Sequence, residues 1–281
     1  MFEPFQDEFM RRAIAEMTLI AVAGGALGCW VVLYRLSYAA ESLAHSIFPG
    51  LVLATLAGVP LLLGAGPAIA LAALAIVLVS RVPGVSREVA VGVVVTSFFG
   101  LGVLLALSPD APPGLQGLLF GDILGPADSD LIAAAVLAVV VIAGLALSHR
   151  RLLAVGFDRG AASALGLRPG AVEAVLMALL AAAIVVAVQG LGNLLVVAAF
   201  VGPAAAAREL TERMAPMIGI AVAIGVLAGL AGLYVSYYAG TAGGASIALA
   251  ILAAYLLSLL AGRLLRPSMA ASGARPRATI T

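Results

Sequence analysis

The sequence predicts an all-α membrane protein, a polytopic helical bundle of eight or nine transmembrane helices. Two shorter features accompany the bundle: a short cytoplasmic helix and an external re-entrant half-helix. Of the 281 residues, 63% are hydrophobic and 10% are charged, with a mean hydropathy of +1.18. Soluble domains carry about 25% charged residues, so the composition alone indicates a membrane protein. Long apolar runs and a regular distribution of arginine support the same fold class.

Charged clusters divide the chain into apolar runs, and a spanning helix needs about 20 mostly apolar residues. Nine candidate spans result: Ala13–Tyr34, Leu36–Leu56, Leu61–Val79, Val89–Leu107, Leu131–Leu147, Ala171–Val188, Leu191–Ala206, Met217–Ser236 and Ser246–Leu260. The third and seventh are short, which leaves eight spans open as an alternative.

Arginine predicts the orientation, because basic residues collect in cytoplasmic loops. Alternate gaps between spans contain arginine, and the gaps between them contain no basic residue. The arginine-bearing positions are Arg35, Arg81, Arg87, Arg150, Arg151, Arg159, Arg168, Arg208, Arg213, Arg263 and Arg266. This places the C-terminus in the cytoplasm and, with nine spans, the N-terminus outside.

The flanking segments and the longest loop complete the domain organisation. Residues 1–12 are predicted to form an N-terminal surface segment, residues 13–265 the transmembrane domain, and residues 266–281 a disordered cytoplasmic tail. The external loop at about 108–130 contains Gln116–Pro126, which is too short and too rich in glycine to span. It therefore predicts a half-helix that protein must cover.

Glu41 and His45 are the ionisable residues predicted to lie deepest in the membrane. They are four positions apart, so on a helix they share one face. At about 1.5 Å per residue from Arg35, Glu41 lies roughly 9 Å and His45 roughly 15 Å into the bilayer. Pro49-Gly50 follows, and predicts an interruption of the helix like those found beside transporter sites. Ionisable groups at such depth are usually functional.

A carboxylate and an imidazole form half of a coordination shell for a divalent transition metal such as Zn²⁺ or Mn²⁺. The rest would come from water, another helix or a second copy of the chain, whose own pair would complete the shell across a two-fold axis. Polar side chains that could contribute within the chain are weaker candidates: Ser42, Ser46, Thr96, Ser97, Gln189 and Asn193. The alternative is a hydrogen bond between helices that only fixes packing.

The sequence also excludes several classes. It contains no lysine, so the phosphate-binding GxxxxGK[ST] loop is absent and ATP hydrolysis requires another chain. The single cysteine, Cys29, excludes an intrachain disulfide, and no nucleic-acid partner is predicted. Two small-residue motifs, Gly24-x-x-x-Gly28 and Gly225-x-x-x-Gly229, predict close approaches between helices.

Four stretches together resemble the permease subunit of the ABC-3 family of zinc and manganese importers. They are Glu41-Ser-Leu-Ala-His45 with Pro49-Gly50, Leu119-Phe-Gly-Asp-Ile-Leu124, Phe157-Asp with Ala164-Leu-Gly166, and Leu194 to Arg208 with its Pro203-Ala-Ala-Ala-Ala run. They follow the family's order across roughly residues 35–260. One departure is Glu41, where the family usually has aspartate.

The resemblance implies a permease in a bacterial inner membrane that works as a homodimer with two cytoplasmic ATP-binding subunits and an external metal-binding protein. It implies that Glu41 and His45 bind the metal, which is a transported substrate rather than a permanent cofactor. It also implies that a coupling helix at about 157–168 contacts the ATPase through Phe157, Asp158, Ala161, Ala164, Leu165 and Gly166. The external acids Asp110, Asp122, Asp128 and Asp130 are predicted to help dock the delivery protein or to attract cations, with a simply solvated loop as the alternative.

Zinc import by alternating access is the predicted function, with manganese or iron import by the same family as the alternative. A second alternative is an ATP-independent transporter in which Glu41 and His45 couple transport to protons. An intramembrane metalloprotease is disfavoured, because the His-Glu-x-x-His pattern is absent.

Overall fold

A computed structural model describes residues 7–108, 115, 117–121 and 123–272, with only the backbone described at Arg87 and at 265–272. The described chain is helical and contains no strand, which confirms the predicted fold class. Its helices are α1 (Glu8–Leu33), α2 (Ser37–Ala57), α3 (Leu61–Val79), α4 (Arg87–Ala106), α5 (Gly117–Phe120), α6 (Asp128–Phe157), α7 (Arg159–Ala164), α8 (Pro169–Leu191), α9 (Val196–Leu210), α10 (Met214–Ala239) and α11 (Gly243–Ser272).

Eight helices in the described chain are long and apolar enough to cross a bilayer: α1 to α4, α6, α8, α10 and α11. The predicted seventh span corresponds to α9, whose 15 residues extend only about 22 Å. Helix α9 begins next to α5, where the amide of Leu194 donates to the carbonyl of Leu119. It ends near Leu33 and Phe157, at the opposite end of the bundle. It is therefore a short ninth pass that starts inside the protein.

Contacts at the two ends of the bundle define which segments share a side. Arg12 pairs with Asp128 at 2.8 Å, and the hydroxyl of Tyr237 donates to Asp7 at 2.9 Å. The start of α1 therefore lies at the same end as the external loop, while Arg35 and Arg159 lie together at the other end. Eight passes, with α9 counted among them, lie between the start of α1 and the end of α10, which explains why Asp7 and Tyr237 meet at one end. This arrangement agrees with the predicted orientation, in which the arginine-rich end is cytoplasmic.

Helix α1 forms the centre of the bundle, and 72% of its most apolar window is buried, the highest share among the spanning helices. It packs against α6, α8, α9 and α10. Both glycine motifs lie at its contacts. A Cβ atom on Gly24 or Gly28 would overlap Phe200 of α9, and one on Gly229 would meet Met17 of α1 at 2.6 Å. The predicted close approaches are therefore present, and glycine is what permits them.

Helix α2, which contains Glu41 and His45, packs against α3 and α4. It runs unbroken through Pro49, so the interruption predicted there is wrong. Gly50 and Gly64 cross with no room for a Cβ on either, and Gly102 of α4 lies against Phe48 and Pro49. These close neighbours hold the helical path although Pro49 donates no backbone hydrogen bond.

The external loop contains one helical turn, α5, that is inserted into the protein. Leu118 and Leu119 are buried there. The carbonyl of Leu118 accepts from the amide of Asn193 at 2.8 Å. Gly121 and Gly192 both have positive φ, 81° and 77°, and their backbones touch. The described part of the re-entrant segment is therefore one helical turn, which packs against the break between α8 and α9.

Several bounds differ from the prediction. Helix α1 starts at Glu8, so the predicted surface segment is continuous with α1 from there, and residues 1–6 lie outside the description. Helix α6 continues through His149, Arg150 and Arg151, which were predicted to lie in a loop. Helix α11 extends to Ser272, seven residues into the predicted tail, and residues 273–281 lie outside the description.

Candidate functional site

Helix α2 brings Glu41 and His45 together, as their spacing predicts. The Nε2 atom of His45 lies 4.0 Å from Oε1 of Glu41. The Glu41 side chain is 61% exposed and the His45 side chain 24% exposed in the isolated chain. Both therefore face open space rather than a packed helix, which argues against a role confined to packing.

That space is a cavity of about 680 Å³ between α2, α9 and α11. Glu41 is the only acidic residue of its described lining, and His45 and Asn193 are the only residues there with nitrogen-bearing side chains. The remaining lining residues are Ser37, Tyr38, Leu194, Val197, Ala198, Val201, Gly202, Ala205, Ala248, Ile251, Leu252 and Tyr255. The walls are mostly apolar, so Glu41 and His45 are the strongest ligands that the described lining offers to a cation.

Of the weaker polar candidates, the structure brings only Asn193 to the cavity. Its Nδ2 atom lies 3.4 Å from Nδ1 of His45. Ser42, Ser46, Thr96, Ser97 and Gln189 are absent from the lining. On its other side, the imidazole of His45 packs against the ring of Phe99 at 4.6 Å between centroids. Sequence reasoning missed this contact, because one phenylalanine in an apolar helix gives no distinguishing signal.

The described residues contain no group of three or more His, Cys, Asp or Glu side chains that could hold a metal ion. Cys29 lies buried in α1 and does not line the cavity. One chain therefore offers one carboxylate and one imidazole, both accessible from the same side. A tetrahedral shell needs two further ligands.

Within the segment 157–168, where a coupling helix is predicted, the structure contains the shorter helix α7, Arg159–Ala164. Its first turn is capped by Asp158, whose Oδ1 accepts from the amides of Gly160 and Ala161 at 2.8 and 2.9 Å. Gly166, with φ of 81°, follows its last turn. Arg159 pairs with Glu173 of α8 at 2.8 Å. These contacts fix α7 against the bundle.

All six residues predicted to contact the ATPase are exposed. Phe157 is 81% and Leu165 79% exposed, which is unusual for large apolar side chains outside a lipid-facing helix. Asp158, Ala161, Ala164 and Gly166 are exposed around them, whereas Ala162 faces inward. The sequence folds here into a short rigid helix with an uncovered apolar surface.

Tyr34 packs at the same end of the bundle, just after α1. Its hydroxyl donates to the carbonyl of Leu152 at 2.8 Å. Burial, together with the nearby charge of Glu173, raises the pKa of Tyr34 to about 12, although Arg159 opposes this. The hydroxyl therefore keeps its proton at physiological pH and links the end of α1 to α6.

Two of the four external acids predicted to dock the delivery protein lie in the described part of the chain. Asp110 and Asp122 lie outside the described residues. Asp128 pairs with Arg12 and remains exposed, and Asp130 accepts from the amide of Ala127 at 2.9 Å. Each described carboxylate thus has a local structural partner at the start of α6.

Comparison with known proteins identifies the family, since residues 6–262 match the ABC 3 transport family. The chain belongs to that family. It is 30% identical over 255 residues to the manganese transport system membrane protein MntC of Listeria monocytogenes, covering 91% of each chain. It is 33% identical over 250 residues to the chelated iron transport system membrane protein YfeC of Yersinia pestis, covering 89% of this chain and 85% of that one.

A solved structure agrees with this membership of the ABC 3 transport family. PsaBC from Streptococcus pneumoniae, in complex with Fab, matches with a TM-score of 0.85 and 28% identity. The match covers 90% of this chain and 91% of that one. The predicted family and the multi-pass membrane fold are therefore both confirmed.

Proposed function

We propose that the chain is the membrane-spanning subunit of an ATP-driven importer for a divalent first-row transition metal. One observation carries the proposal: Glu41 and His45 lie one turn apart, 4.0 Å from each other, on the wall of an otherwise apolar cavity. Oxygen and nitrogen donors of this kind bind such metals, while the apolar walls offer no competing ligand. Family membership supports a transport role for the cavity.

The incomplete shell supports a homodimer. Glu41 is 61% exposed in the isolated chain although it belongs to a membrane helix. A charged side chain at that depth avoids lipid by facing protein or a water-filled path. A second copy placed against this face across a two-fold axis would cover it and add its own carboxylate and imidazole. The metal would then have four protein ligands.

The metal is the finer part of the proposal. Two relatives are named for manganese and for chelated iron, which favours these metals over the zinc predicted from the sequence. The ligands themselves do not separate the three metals, because carboxylate suits manganese and imidazole suits both iron and zinc. Import of Mn²⁺ or Fe²⁺ is therefore proposed, with Zn²⁺ as the competitor to be tested.

The transport experiment uses the chain co-purified with its ATP-binding subunit in proteoliposomes. Uptake of radiolabelled Mn²⁺ is expected only with the ATP-binding subunit and ATP present, and excess Fe²⁺ or Zn²⁺ tests the order of preference. Uptake by the chain alone, driven by a proton gradient, would instead establish the ATP-independent alternative. Strong competition by Zn²⁺ and weak uptake of Mn²⁺ would restore the zinc assignment.

The coupling surface gives a separate prediction. Phe157→Ser and Leu165→Ser remove exposed apolar contacts without disturbing the buried side of α7. We expect ATP-dependent uptake to fall about tenfold, which corresponds to about 1.4 kcal/mol of lost contact with the ATPase. Leu264→Ser, equally exposed at the same end in α11, is the matched control. Equal losses in all three variants would contradict a specific role for α7.

The external acids are proposed to dock the metal-delivery protein. Changing Asp110, Asp122, Asp128 and Asp130 together to Asn should weaken that binding most at low salt, because exposed charges are screened at high salt. Binding of the purified delivery protein is the measurement. Arg12→Gln breaks the ion pair with Asp128 but keeps the carboxylates, and serves as the control. Unchanged docking and uptake in the fourfold variant would leave only a solvated loop.

A further inference from the structure

Asn193 is the one amide side chain among the described residues that line the cavity, and neighbouring elements hold its backbone in place. The residue is 1% exposed. Helix α8 ends at Leu191, and Gly192 turns the chain with a φ of 77° that favours glycine. The amide of Asn193 then donates to the carbonyl of Leu118 in the docked turn α5. The backbone thus holds the side chain in place from outside the cavity.

One end of the side-chain amide has a polar partner, and the other end has none among the described residues. Its Nδ2 lies 3.4 Å from Nδ1 of His45, while its Oδ1 is buried with no hydrogen-bond partner among the described residues. A buried amide oxygen without a partner is rare and destabilising. The amide can turn end over end in the same space, because its oxygen and its NH₂ group have nearly the same shape.

The two amide orientations select different tautomers of the imidazole. With Nδ2 facing His45, Nδ1 must accept, so the ring proton sits on Nε2 and points toward Glu41. With Oδ1 facing His45, Nδ1 carries the proton and donates it to the amide oxygen. The lone pair of Nε2 is then free on the side of Glu41, where a cation can use both groups. This second arrangement gives the amide oxygen a partner and places the NH₂ group in the position that has no hydrogen-bond partner among the described residues.

We propose that Asn193 is a positioning residue that presents Nε2 of His45 to the transported metal by accepting the Nδ1 proton. Ligating histidines commonly donate their other ring N–H to such a partner, which fixes the ring and strengthens the ligand. The inference rests on the proposed function, since it assigns a role around the same metal. Asn193 itself need not touch the ion.

The first test is metal affinity in the purified complex. Asn193→Leu keeps the branching at Cγ but has no acceptor, and should weaken Mn²⁺ binding about 10–100-fold. Asn193→Asp keeps an acceptor for the Nδ1 proton and should bind within about threefold of the unsubstituted protein or more tightly, because a carboxylate is the stronger acceptor. Gln189→Leu, the same amide-to-leucine change outside the cavity lining, is the matched control.

The second test reads the tautomer directly. The chain has two histidines, so ¹⁵N-histidine labelling gives two sets of ring signals, and His149→Gln assigns them. With diamagnetic Zn²⁺ bound as a probe, Nδ1 of His45 should carry the proton and Nε2 the metal. In Asn193→Leu, that single protonation pattern should be lost.

The outcomes separate this inference from the proposed function. Metal bound at Nδ1, or equal affinity in Asn193→Leu and the unsubstituted protein, would overturn the role of Asn193. So would equal losses in Asn193→Leu and Asn193→Asp, which would indicate packing alone. His45→Ala is the reference: if it still bound metal normally, the proposed metal site itself would fail.

Discussion

His45→Ala is expected to abolish metal uptake while the permease still assembles with its ATP-binding subunit. The imidazole is the only nitrogen ligand with a free lone pair on the described cavity wall. Loss of a supporting outer partner alone weakens metal binding about 10–100-fold, so loss of a direct ligand should reduce uptake by about 100-fold or more. Glu41→Ala should have the same effect, because the carboxylate supplies the charge that offsets the cation.

The measurement is ATP-dependent uptake in proteoliposomes, with assembly followed by co-purification. His149→Ala is the natural control, since His149 is the only other histidine. It lies in α6, and its ring packs edge-on against the ring of Trp30 in α1, with 5.4 Å between the centroids. The His149→Ala variant should retain most of its uptake. Glu41→Asp restores the family's usual residue and should also retain uptake. Normal uptake by His45→Ala would rule out the proposed site.

The site was predictable because its chemistry contrasts with its surroundings. Glu41 and His45 stand out in a long apolar run, and helical periodicity alone places them on one face. The lining contributed by α9 and α11 was not predictable. Those helices are apolar on nearly every side, so their sequences do not indicate which face meets the cavity. Only the packing of the whole bundle decides it.

Errors in the predicted elements have two physical sources. Pro49 predicts an interruption of the helix because proline lacks an amide proton. The close packing of Gly64 and Gly102 nevertheless keeps α2 intact. The cluster His149-Arg150-Arg151 predicts a loop because it is charged and follows an apolar run. Arginine is a good helix former, so α6 continues until Asp158 adopts an extended backbone. The position of the charges therefore does not mark the end of the helix.

The second large effect is expected at Gly28, where α1 crosses α9. A Cβ there would overlap the carbonyl oxygen of Phe200, a backbone atom that cannot rotate away. Relief requires the two helices to separate, and overpacking of this kind costs about 1–3 kcal/mol or more. Gly28→Ala should therefore lower the thermal stability of the purified chain.

Gly92→Ala in α4 is the matched control, because no atom lies within 4 Å of the added methyl group. Alanine is favoured over glycine in a helix interior by roughly 1 kcal/mol, so this variant should be as stable as the unsubstituted chain or slightly more stable. The same substitution thus has opposite expected signs at the two positions. Because α9 contributes Val197 and Val201 to the metal cavity, displacing it at Gly28 should also reduce uptake. A Gly28→Ala protein with unchanged melting temperature and uptake would show that α1 and α9 do not meet as closely as the packing requires.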